Sequence, residues 1–585
     1  MATTSLSRTN PSPPRIESTS LGESHSPRLF LCPGVYCGDL HRPRNDGVAT
    51  EQPAAAPRPL HTSSDQHHVV TDSNTSATSL HEPAERGSAP RTSASCDLWI
   101  ESLGPTLELE DCFHRLAGMK HRIWFDSVSD RQHNRGRYSF LTADPVGWLH
   151  KTIDQTDPWP ELHRWCSRLP SHGMVANAEL AQTQSIELPP FCGGLAGLIG
   201  YEAAWWLEPS VRMPADFSAE HPTTGMAIGI YDWTIAVDHV TGQTLLICNG
   251  LNAKLETNLG RGKQRAQSIR QRLEQKPDQE PRSRASSPSA SSLMPSQEAS
   301  KSCPSPTLKS NFTEEGYRNA VAEIIARIRA GDSFQVNLSQ ALTHPATCSA
   351  AELYQRLRQT NPAPYACFFD LGCEQILSSS PEGFLQVRDR KVVTRPIKGT
   401  VPRTGDDIED ERLAQVLGGS AKDRAENIMI VDLMRNDLSI VCEDSSVRVT
   451  GLCELERYQS VQHLVSTVEG QLRNGVAISE LLAACFPGGS ITGAPKIEAM
   501  KTIARLEGQP RGAYCGSMGY ISVTGNADFN ILIRTVTQRE GQWHFPVGGG
   551  ITSRSDPQNE LDETWTKAQG MLRAIQATTS DEPRN

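Results

Sequence analysis

The stretch FLQVRDRKVVTRPIKGT, residues 384–400, predicts a β-hairpin in the second half of this chain. Two runs rich in apolar residues flank a polar Arg-Asp-Arg-Lys segment, which is the pattern of two strands joined by a tight turn. If the Asp-Arg pair in the middle forms the turn, pairing continued along both strands places Glu382 opposite Ile397 and Lys398 opposite Pro381. We therefore expect a carboxyl group and an amine to meet at the open end of this hairpin.

Lys398 and Glu382 form a candidate catalytic pair. A desolvated lysine amine can act as a nucleophile, and a buried carboxyl group can act as a proton donor. Gly383 and Gly399 lie beside them, where a bare backbone lets a ligand approach closely. The alternative interpretation is an ordinary surface pair of lysine and glutamate, which contributes little to stability or function.

Composition limits the class of protein. The 585 residues can form one large domain or two to three ordinary ones, and the net charge of −10 argues against nucleic acid as a partner. The 15 cysteines are scattered without the spacing of a disulfide framework or a zinc site. No apolar run is long enough to span a membrane and no signal peptide is recognisable. We therefore expect a cytoplasmic protein with no membrane association.

Two segments rich in Ser, Thr and Pro divide the chain, and neither has the apolar content needed to form a core. The first could also be a transit peptide or the result of a start codon placed too early. The predicted organisation is a disordered extension (1–95), an N-terminal portion (96–276), a disordered Ser/Pro-rich linker (277–310), a C-terminal catalytic portion (311–578) and a short tail (579–585).

Two predicted helices carry carboxylates in unusual positions. Ser420 can cap a helix in which Glu426 lies on an otherwise apolar stripe, and a C-terminal helix that starts at Asp556 presents Glu560 and Glu563 on one face. Acids near a helix start are often present for the helix dipole alone, and a charged face is often only solvated. Taken together, these carboxylates could instead hold one Mg²⁺ ion.

Several motifs in order resemble those of the chorismate-utilising enzymes, over roughly residues 97–577. They are Ser-Pro-Glu at 380–382, Pro-Ile-Lys-Gly-Thr at 396–400, Asp-Arg-Ala-Glu-Asn at 423–427, DLMRND at 432–437, SVQHL at 460–464, FPGGSITGAPK at 486–496 and Gly-Gly-Gly-Ile at 548–551. Lys398 matches the aminodeoxychorismate synthase component I branch of this family. The anthranilate synthase component I branch typically has alanine at this place.

The resemblance implies an α+β fold in which large antiparallel β-sheets form a sandwich-like core flanked by helices. It implies that Glu426 and Glu563, with Glu560 bound directly or through water, hold Mg²⁺ against the ring carboxylate of chorismate. It also implies a set of substrate-contacting residues, in which Arg534 and Tyr514 bind the enolpyruvyl carboxylate. That set is His463, Ser490, Thr492, Tyr514, Arg534, Gly548, Gly549, Gly550, Lys567 and Thr400. A buried histidine, tyrosine or arginine can also be purely structural.

The resemblance further implies a two-step reaction. Lys398 attacks ring carbon C2 while protonated Glu382 donates its proton to the C4 hydroxyl group that leaves. Ammonia then displaces the lysine and gives 4-amino-4-deoxychorismate, the precursor of 4-aminobenzoate and folate. The chain lacks the Gly-x-Cys-x-Gly nucleophile motif of a glutamine amidotransferase in its folded part, so a separate glutamine amidotransferase subunit is expected to supply ammonia.

The family also carries a tryptophan pocket in its N-terminal portion. The matching residues are Ser127, Tyr138, Ser139, Phe140, Pro364, Tyr365 and Ala366. The alternative functions are anthranilate synthase component I, an isochorismate or salicylate synthase that uses water, and an inactive chorismate-binding scaffold. Lys398 argues against the first alternative, and the presence of every expected acid argues against the last.

Overall fold

The computed structural model describes residues 95–104, 107–127, 136–170, 172–175, 187–212, 223–275, 308–458 and 461–577. The predicted extension (1–95), linker (277–310) and tail (579–585) lie outside these ranges, apart from a few end residues.

The strands of the described ranges are short to medium in length. In chain order they are β1 (Ser95–Ser102), β2 (Ile123–Asp126), β3 (Tyr138–Thr142), β4 (Gly147–Thr152), β5 (His172–Val175), β6 (Gly194–Ile199), β7 (Thr224–Tyr231), β8 (Trp233–Asp238), β9 (Gln243–Cys248), β10 (Lys309–Ser310), β11 (Gln335–Gln340), β12 (Leu342–Pro345), β13 (Tyr365–Asp370), β14 (Gln375–Ser380), β15 (Gly383–Arg388), β16 (Lys391–Thr394), β17 (Ile397–Pro402), β18 (Arg448–Arg457), β19 (Val461–Gln471), β20 (Gly493–Ala494), β21 (Ser517–Ser522), β22 (Ala527–Asn530), β23 (Thr535–Arg539), β24 (Gln542–His544) and β25 (Val547–Ile551).

The helices of the same ranges lie between these strands. They are α1 (Leu109–Arg115), α2 (Trp159–Arg168), α3 (Ala204–Leu207), α4 (Leu259–Glu274), α5 (Glu314–Ala330), α6 (Ala350–Thr360), α7 (Asp407–Gly419), α8 (Ala421–Ser439), α9 (Ile478–Cys485), α10 (Lys496–Glu507) and α11 (Pro557–Gln576). No helix in the described part of the chain is long and apolar enough to cross a membrane.

Among the described residues, the strands form two large sheets and one small one. The twelve-stranded sheet has the order β10-β12-β24-β23-β14-β13-β2-β3-β8-β9-β1-β5, and the ten-stranded sheet has β17-β19-β16-β15-β22-β21-β6-β7-β4 with β18 paired to β19. The three-stranded sheet is β20-β11-β25. Neighbouring strands are antiparallel, except that β1 and β5 run parallel. The predicted α+β class with large antiparallel sheets is confirmed.

The core lies between the two large sheets, and both portions of the chain build it. One apolar cluster contains Leu98 and Ile123 from the twelve-stranded sheet together with Leu195 and Ile228 from the ten-stranded sheet. Strand β2 of the N-terminal portion pairs with β13 of the C-terminal portion, and β6 pairs with β21 in the same way. The two portions therefore share both sheets, and burial of this common surface stabilises them together.

The predicted hairpin forms, but its open end differs from the prediction. Strands β15 and β16 pair through Gln386–Val393, Val387–Val392 and Arg388–Lys391. The turn residues Asp389 and Arg390 have φ of 48° and 63°, as a tight hairpin turn with positive φ requires.

The expected pairing of Glu382 with Ile397 and of Lys398 with Pro381 is wrong. Strand β17 continues the line of β16 along β19 in the same register, and Lys398 is opposite Leu464 of β19. Pro396 interrupts the ladder because proline has no N–H to donate to it. The backbone N–H of Ile397 nevertheless lowers the pKa of the Glu382 carboxyl group, so the two residues lie close together although their strands do not pair.

Both predicted helix starts are found. The Ser420 hydroxyl group accepts a hydrogen bond from the Asp423 N–H at the start of α8. The Asp556 carboxylate accepts hydrogen bonds from the N–H groups of Gln558 and Asn559 at the start of α11, with a proline in the first turn. These caps satisfy N–H groups that no helix can pair internally, and they fix the starts of the two helices that carry the acidic residues.

Candidate active site

Lys398 projects from an irregular part of β17. The register between β17 and β19 shifts between Lys398 and Thr400, and Gly399 within this bulge has a φ of 74°. A Cβ atom at Gly399 would lie 2.6 Å from the Leu417 side chain and 3.0 Å from Cγ of Asp423. Glycine is required here because of both the left-handed backbone and the lack of space.

The Lys398 ammonium group lies in a polar, enclosed place. Its Nζ is 3.4 Å from the Ser490 carbonyl oxygen and 4.0 Å from Oε2 of Glu426, and the side chain is 14% exposed. A Cβ atom added to Gly550 would lie 3.4 Å from this Nζ, so the backbone of β25 forms one wall of the site.

Glu382 is buried immediately before β15. Burial raises the pKa of its carboxyl group to about 7, although the Ser490 side chain, the positive charge of Lys398 and the Ile397 N–H each lower it. A carboxyl group whose pKa is raised this far keeps a protonated fraction at neutral pH. Glu382 can therefore donate a proton.

The acidic residues come from two helices that meet at the site. Glu426 lies on α8, and Glu560 and Glu563 lie on α11. A Cβ atom at Gly549 would lie 3.3 Å from Glu560 Oε2 and 3.4 Å from Glu563 Oε1, so both carboxylates face the glycine triplet.

Lysines surround these carboxylates. Lys567 Nζ lies 2.7 Å from Glu563 Oε1 and donates a hydrogen bond of 2.8 Å to the Gly548 carbonyl oxygen. Burial alone would raise the pKa of Glu563, but nearby lysines, Lys567 foremost, lower it below its usual range. Burial raises the pKa of Glu426 despite the charges of Lys398 and Lys422.

The carboxylates have the chemistry of a site for a hard divalent cation. Oε1 of the buried Glu426 has no hydrogen-bond partner, which leaves one oxygen of a desolvated carboxylate available to a cation. Carboxylate oxygens combined with water and substrate oxygens are what Mg²⁺ prefers. Within the described ranges, no three His, Cys, Asp or Glu side chains converge closely enough to hold a metal by themselves. The donor set therefore fits an ion that takes its remaining ligands from water and substrate.

His463 and Arg534 form the other side of the site. His463 Nδ1 lies 2.9 Å from the Thr400 hydroxyl oxygen. Burial, and to a smaller extent the positive charge of Arg534, lowers the pKa of His463 to about 4. The imidazole is therefore neutral at physiological pH. In the described part of the chain, the half-buried Arg534 guanidinium group has no hydrogen-bond or ion-pair partner, and burial lowers its pKa. An unpartnered guanidinium group suits a carboxylate ligand.

The structure brings most of the predicted residues together, but not all. Thr492 is buried and donates its hydroxyl proton to the Gly488 carbonyl oxygen. The Tyr514 ring lies 5.9 Å from the Arg511 guanidinium group, within a buried cluster that also contains Tyr201. The contacts of these two side chains are therefore structural, and their role in binding substrate stays a prediction.

Two residues of the site escaped the sequence analysis. Gln335 on β11 is fully buried, and neither polar atom of its side-chain amide has a hydrogen-bond partner among the described residues. Its Nε2 would lie 2.6 Å from a Cβ atom at Gly550, which places the amide beside Lys398. Lys422, four residues before Glu426 on α8, lies 3.2 Å from Oε1 of Glu560. The four-residue spacing between Lys422 and Glu426 could have indicated from the sequence that the two side chains lie on one face of a helix.

The predicted tryptophan pocket coincides with a cavity of about 580 Å³. Six of the seven predicted residues line it: Ser127, Tyr138, Phe140, Pro364, Tyr365 and Ala366. The seventh, Ser139, is buried behind the wall, where its hydroxyl oxygen accepts the Ser127 N–H. What this cavity binds stays a prediction.

Known proteins resemble this chain along most of its length. Residues 120–573 match the model of the chorismate binding enzyme family. Aminodeoxychorismate synthase component 1 of Escherichia coli K12 is 39% identical over 458 residues, which are 76% of this chain and 91% of that protein. Anthranilate synthase component 1 of a Synechocystis strain is 37% identical over 464 residues, 76% of this chain and 88% of that protein.

A solved structure agrees with these sequence matches. Anthranilate synthase component I from Streptococcus pneumoniae TIGR4 superposes with a TM-score of 0.60 at 30% identity, covering 76% of this chain and 95% of that chain. The family model spans more than half of the sequence, and relatives of both activities are similar to it to nearly the same degree. This chain belongs to the family of chorismate-binding enzymes.

Proposed function

We propose that this protein is the chorismate-converting component of an aminodeoxychorismate synthase. The observation that supports this most strongly is the position of Lys398, whose amine lies 4.0 Å from Glu426 and close to the backbone of Gly550. Glu382, with a pKa of about 7, lies next to it. The proposed nucleophile and the proposed proton donor are thus both largely buried and near each other, as a displacement on the chorismate ring requires.

In the proposed first step, the Lys398 amine forms a bond to C2 of chorismate. The two ring double bonds shift, the bond between C4 and its hydroxyl oxygen breaks, and Glu382 supplies the proton with which the oxygen leaves as water. In the second step ammonia attacks C4, the double bonds shift back, and the bond between C2 and Lys398 breaks to free the lysine amine. The new ammonium group at C4 then loses one proton, which restores the acid form of Glu382. The product is 4-amino-4-deoxychorismate, which keeps its enolpyruvyl group.

The remaining residues hold the substrate in place. Arg534, which lacks a partner, would bind the enolpyruvyl carboxylate, and neutral His463 would border the ring without adding a charge. Glu426 and Glu563, with Glu560 bound directly or through water, would hold Mg²⁺. The ion would neutralise the ring carboxylate and make the ring a better electron acceptor.

Ammonia is the proposed incoming group. The relatives are named as component 1 of their enzymes. We propose a glutamine amidotransferase subunit as the partner that supplies ammonia, and 4-aminobenzoate and folate synthesis as the destination of the product.

Product identification tests this function against its alternatives. Purified protein is incubated with chorismate, Mg²⁺ and ammonium, and the product is identified by mass spectrometry. We expect 4-amino-4-deoxychorismate without pyruvate. Release of pyruvate together with anthranilate would identify an anthranilate synthase, and an ammonium-independent isomer of chorismate would identify an isochorismate synthase.

A further inference from the structure

Lys422 connects the two helices that carry the acidic residues. It lies in the first turn of α8, and its Nζ is 3.2 Å from Glu560 Oε1 on α11 and 4.0 Å from Glu426 Oε1. The side chains of Glu560 and Glu426 are 4% and 10% exposed, whereas that of Lys422 is 39% exposed. One partly exposed ammonium group therefore bridges two buried carboxylates.

The lysines of this cluster differ in what else they contact. Lys398 also donates to the Ser490 carbonyl oxygen, and Lys567 also donates to the Gly548 carbonyl oxygen. Among the described residues, the ammonium group of Lys422 has contacts with carboxylates only. Its position is thus explained by the negative charge of the cluster and by nothing else.

We propose that Lys422 is an internal counter-cation of the metal site, which pairs with Glu560 and Glu426 in the metal-free protein and moves toward solvent when a divalent cation binds. The inference rests on the Mg²⁺ site of the proposed function. Two buried carboxylates without a cation would be costly, so a lysine that holds them keeps the site folded before the metal arrives.

The chemistry of lysine suits such an exchange. Its ammonium group is a strongly hydrated point charge on a flexible stem, and this one already reaches solvent. A divalent cation bound to the same carboxylate oxygens would repel an ammonium group at 3 to 4 Å, in a place that water screens only partly. Metal binding must therefore displace Lys422, and this competition weakens the affinity for the metal.

The variant Lys422→Met tests the competition. Mg²⁺ is titrated calorimetrically into the protein with and without chorismate, in the absence of ammonium. We expect Lys422→Met to bind Mg²⁺ about three- to tenfold more tightly than wild type. Its metal-free melting temperature should be lower, and Mg²⁺ should restore it, because the buried carboxylates lose one cation and gain another.

Two control variants test whether the effect depends on the positive charge at position 422 and whether loss of a lysine elsewhere has the same effect. Lys422→Arg keeps the charge and should bind Mg²⁺ within about twofold of wild type. Lys391 lies on β16 and pairs with Glu469 of β19 at 2.8 Å. Lys391→Met should leave the affinity for Mg²⁺ unchanged. Equal or weaker Mg²⁺ binding by Lys422→Met would overturn the proposal.

A measurement on the wild-type protein needs no variant. Acetic anhydride labels lysine amines, and peptide mass spectrometry reports the rate at each position. Mg²⁺ should raise the labelling rate of Lys422 and leave that of Lys391 unchanged. An unchanged Lys422 rate in protein that forms 4-amino-4-deoxychorismate overturns the counter-cation role alone.

The remaining outcomes separate this role from the proposed function. Absence of Mg²⁺ binding with and without chorismate overturns the role together with the metal site. A different product accompanied by faster Lys422 labelling supports the role while overturning the proposed activity.

Discussion

Two regions of this protein bury charged groups, and the regions differ in how completely these groups are paired. Around the cavity of about 580 Å³, the charges are paired: Asp126 with Arg358 at 2.5 Å, and Asp528 with Arg388 at 3.2 Å. In the candidate active site, the Arg534 guanidinium group has no partner within the described ranges. Oε1 of Glu426 accepts no hydrogen bond there, and its ion pair with Lys422 is a long one of 4.0 Å.

The difference separates charges that stabilise the fold from charges that await a ligand. A buried ion pair that is complete needs nothing further, and loss of one member leaves the other buried and unpaired. A buried group that lacks its partner costs stability, and such a cost is typical of functional sites. Mutation of a charged residue in the candidate active site should therefore lower the activity of the protein. Mutation of an ion-paired residue at the cavity should instead lower its free energy of unfolding.

The strongest losses of activity are expected at Lys398 and Glu382, and the first variant is Lys398→Ala. Without the amine no covalent intermediate forms, so the rate of 4-amino-4-deoxychorismate formation should fall by about a hundredfold or more. Any remaining product should shift toward attack of ammonia at C2. Rapid quenching followed by intact-mass analysis should detect an adduct at Lys398 in wild type and none in the variant; unchanged output of 4-amino-4-deoxychorismate would exclude Lys398 as the nucleophile.

Glu382→Gln should lower kcat by roughly 10²- to 10⁴-fold, because the departing hydroxyl group loses its proton donor. The wild-type rate should fall as the pH rises through about 7, since the carboxyl group must be protonated to act and its pKa is raised to about 7. This decrease should be missing from the pH profile of the variant. Glu469→Gln, on the partly exposed ion pair with Lys391, is the control and should keep the wild-type profile.

A pair of arginine variants tests the comparison directly. Arg534→Met should raise the KM for chorismate by about 10- to 100-fold, the range for loss of a charged hydrogen bond, while the melting temperature stays the same or rises. Arg358→Met should destabilise the protein by about 3–5 kcal/mol, because it leaves the buried Asp126 uncompensated, with little change in KM. If both variants changed KM and stability in the same way, the distinction between the two regions would be wrong.

The smallest effect is expected from a ligand of the cavity. If tryptophan occupies it as the sequence motifs imply, adding tryptophan at 100 times its dissociation constant should stabilise the fold by about 2.7 kcal/mol. Thermal unfolding with and without tryptophan measures this. Ala366→Trp would fill part of the space and abolish the shift, whereas a shift that survives in this variant would place tryptophan elsewhere.

The local structure of the site follows from short stretches of the amino-acid sequence. The tight turn at Asp389 and Arg390 and the caps at Ser420 and Asp556 depend on neighbours within a few residues, and all three were predicted. The motifs also indicated most residues of the site, because each motif is a short contiguous string.

The contacts between residues that are far apart in sequence depend on how the whole chain packs. Lys398 pairs with Leu464 of β19, where β17 continues the line of β16, whereas the hairpin pairing of β15 with β16 ends at Gln386 and Val393. Lys422 and Glu560 are 138 positions apart, and Gln335 meets the backbone of Gly550 from another strand. The reactivity of these groups depends on their burial and on the absence of a partner. Both depend on packing between distant segments, which a local sequence pattern does not show.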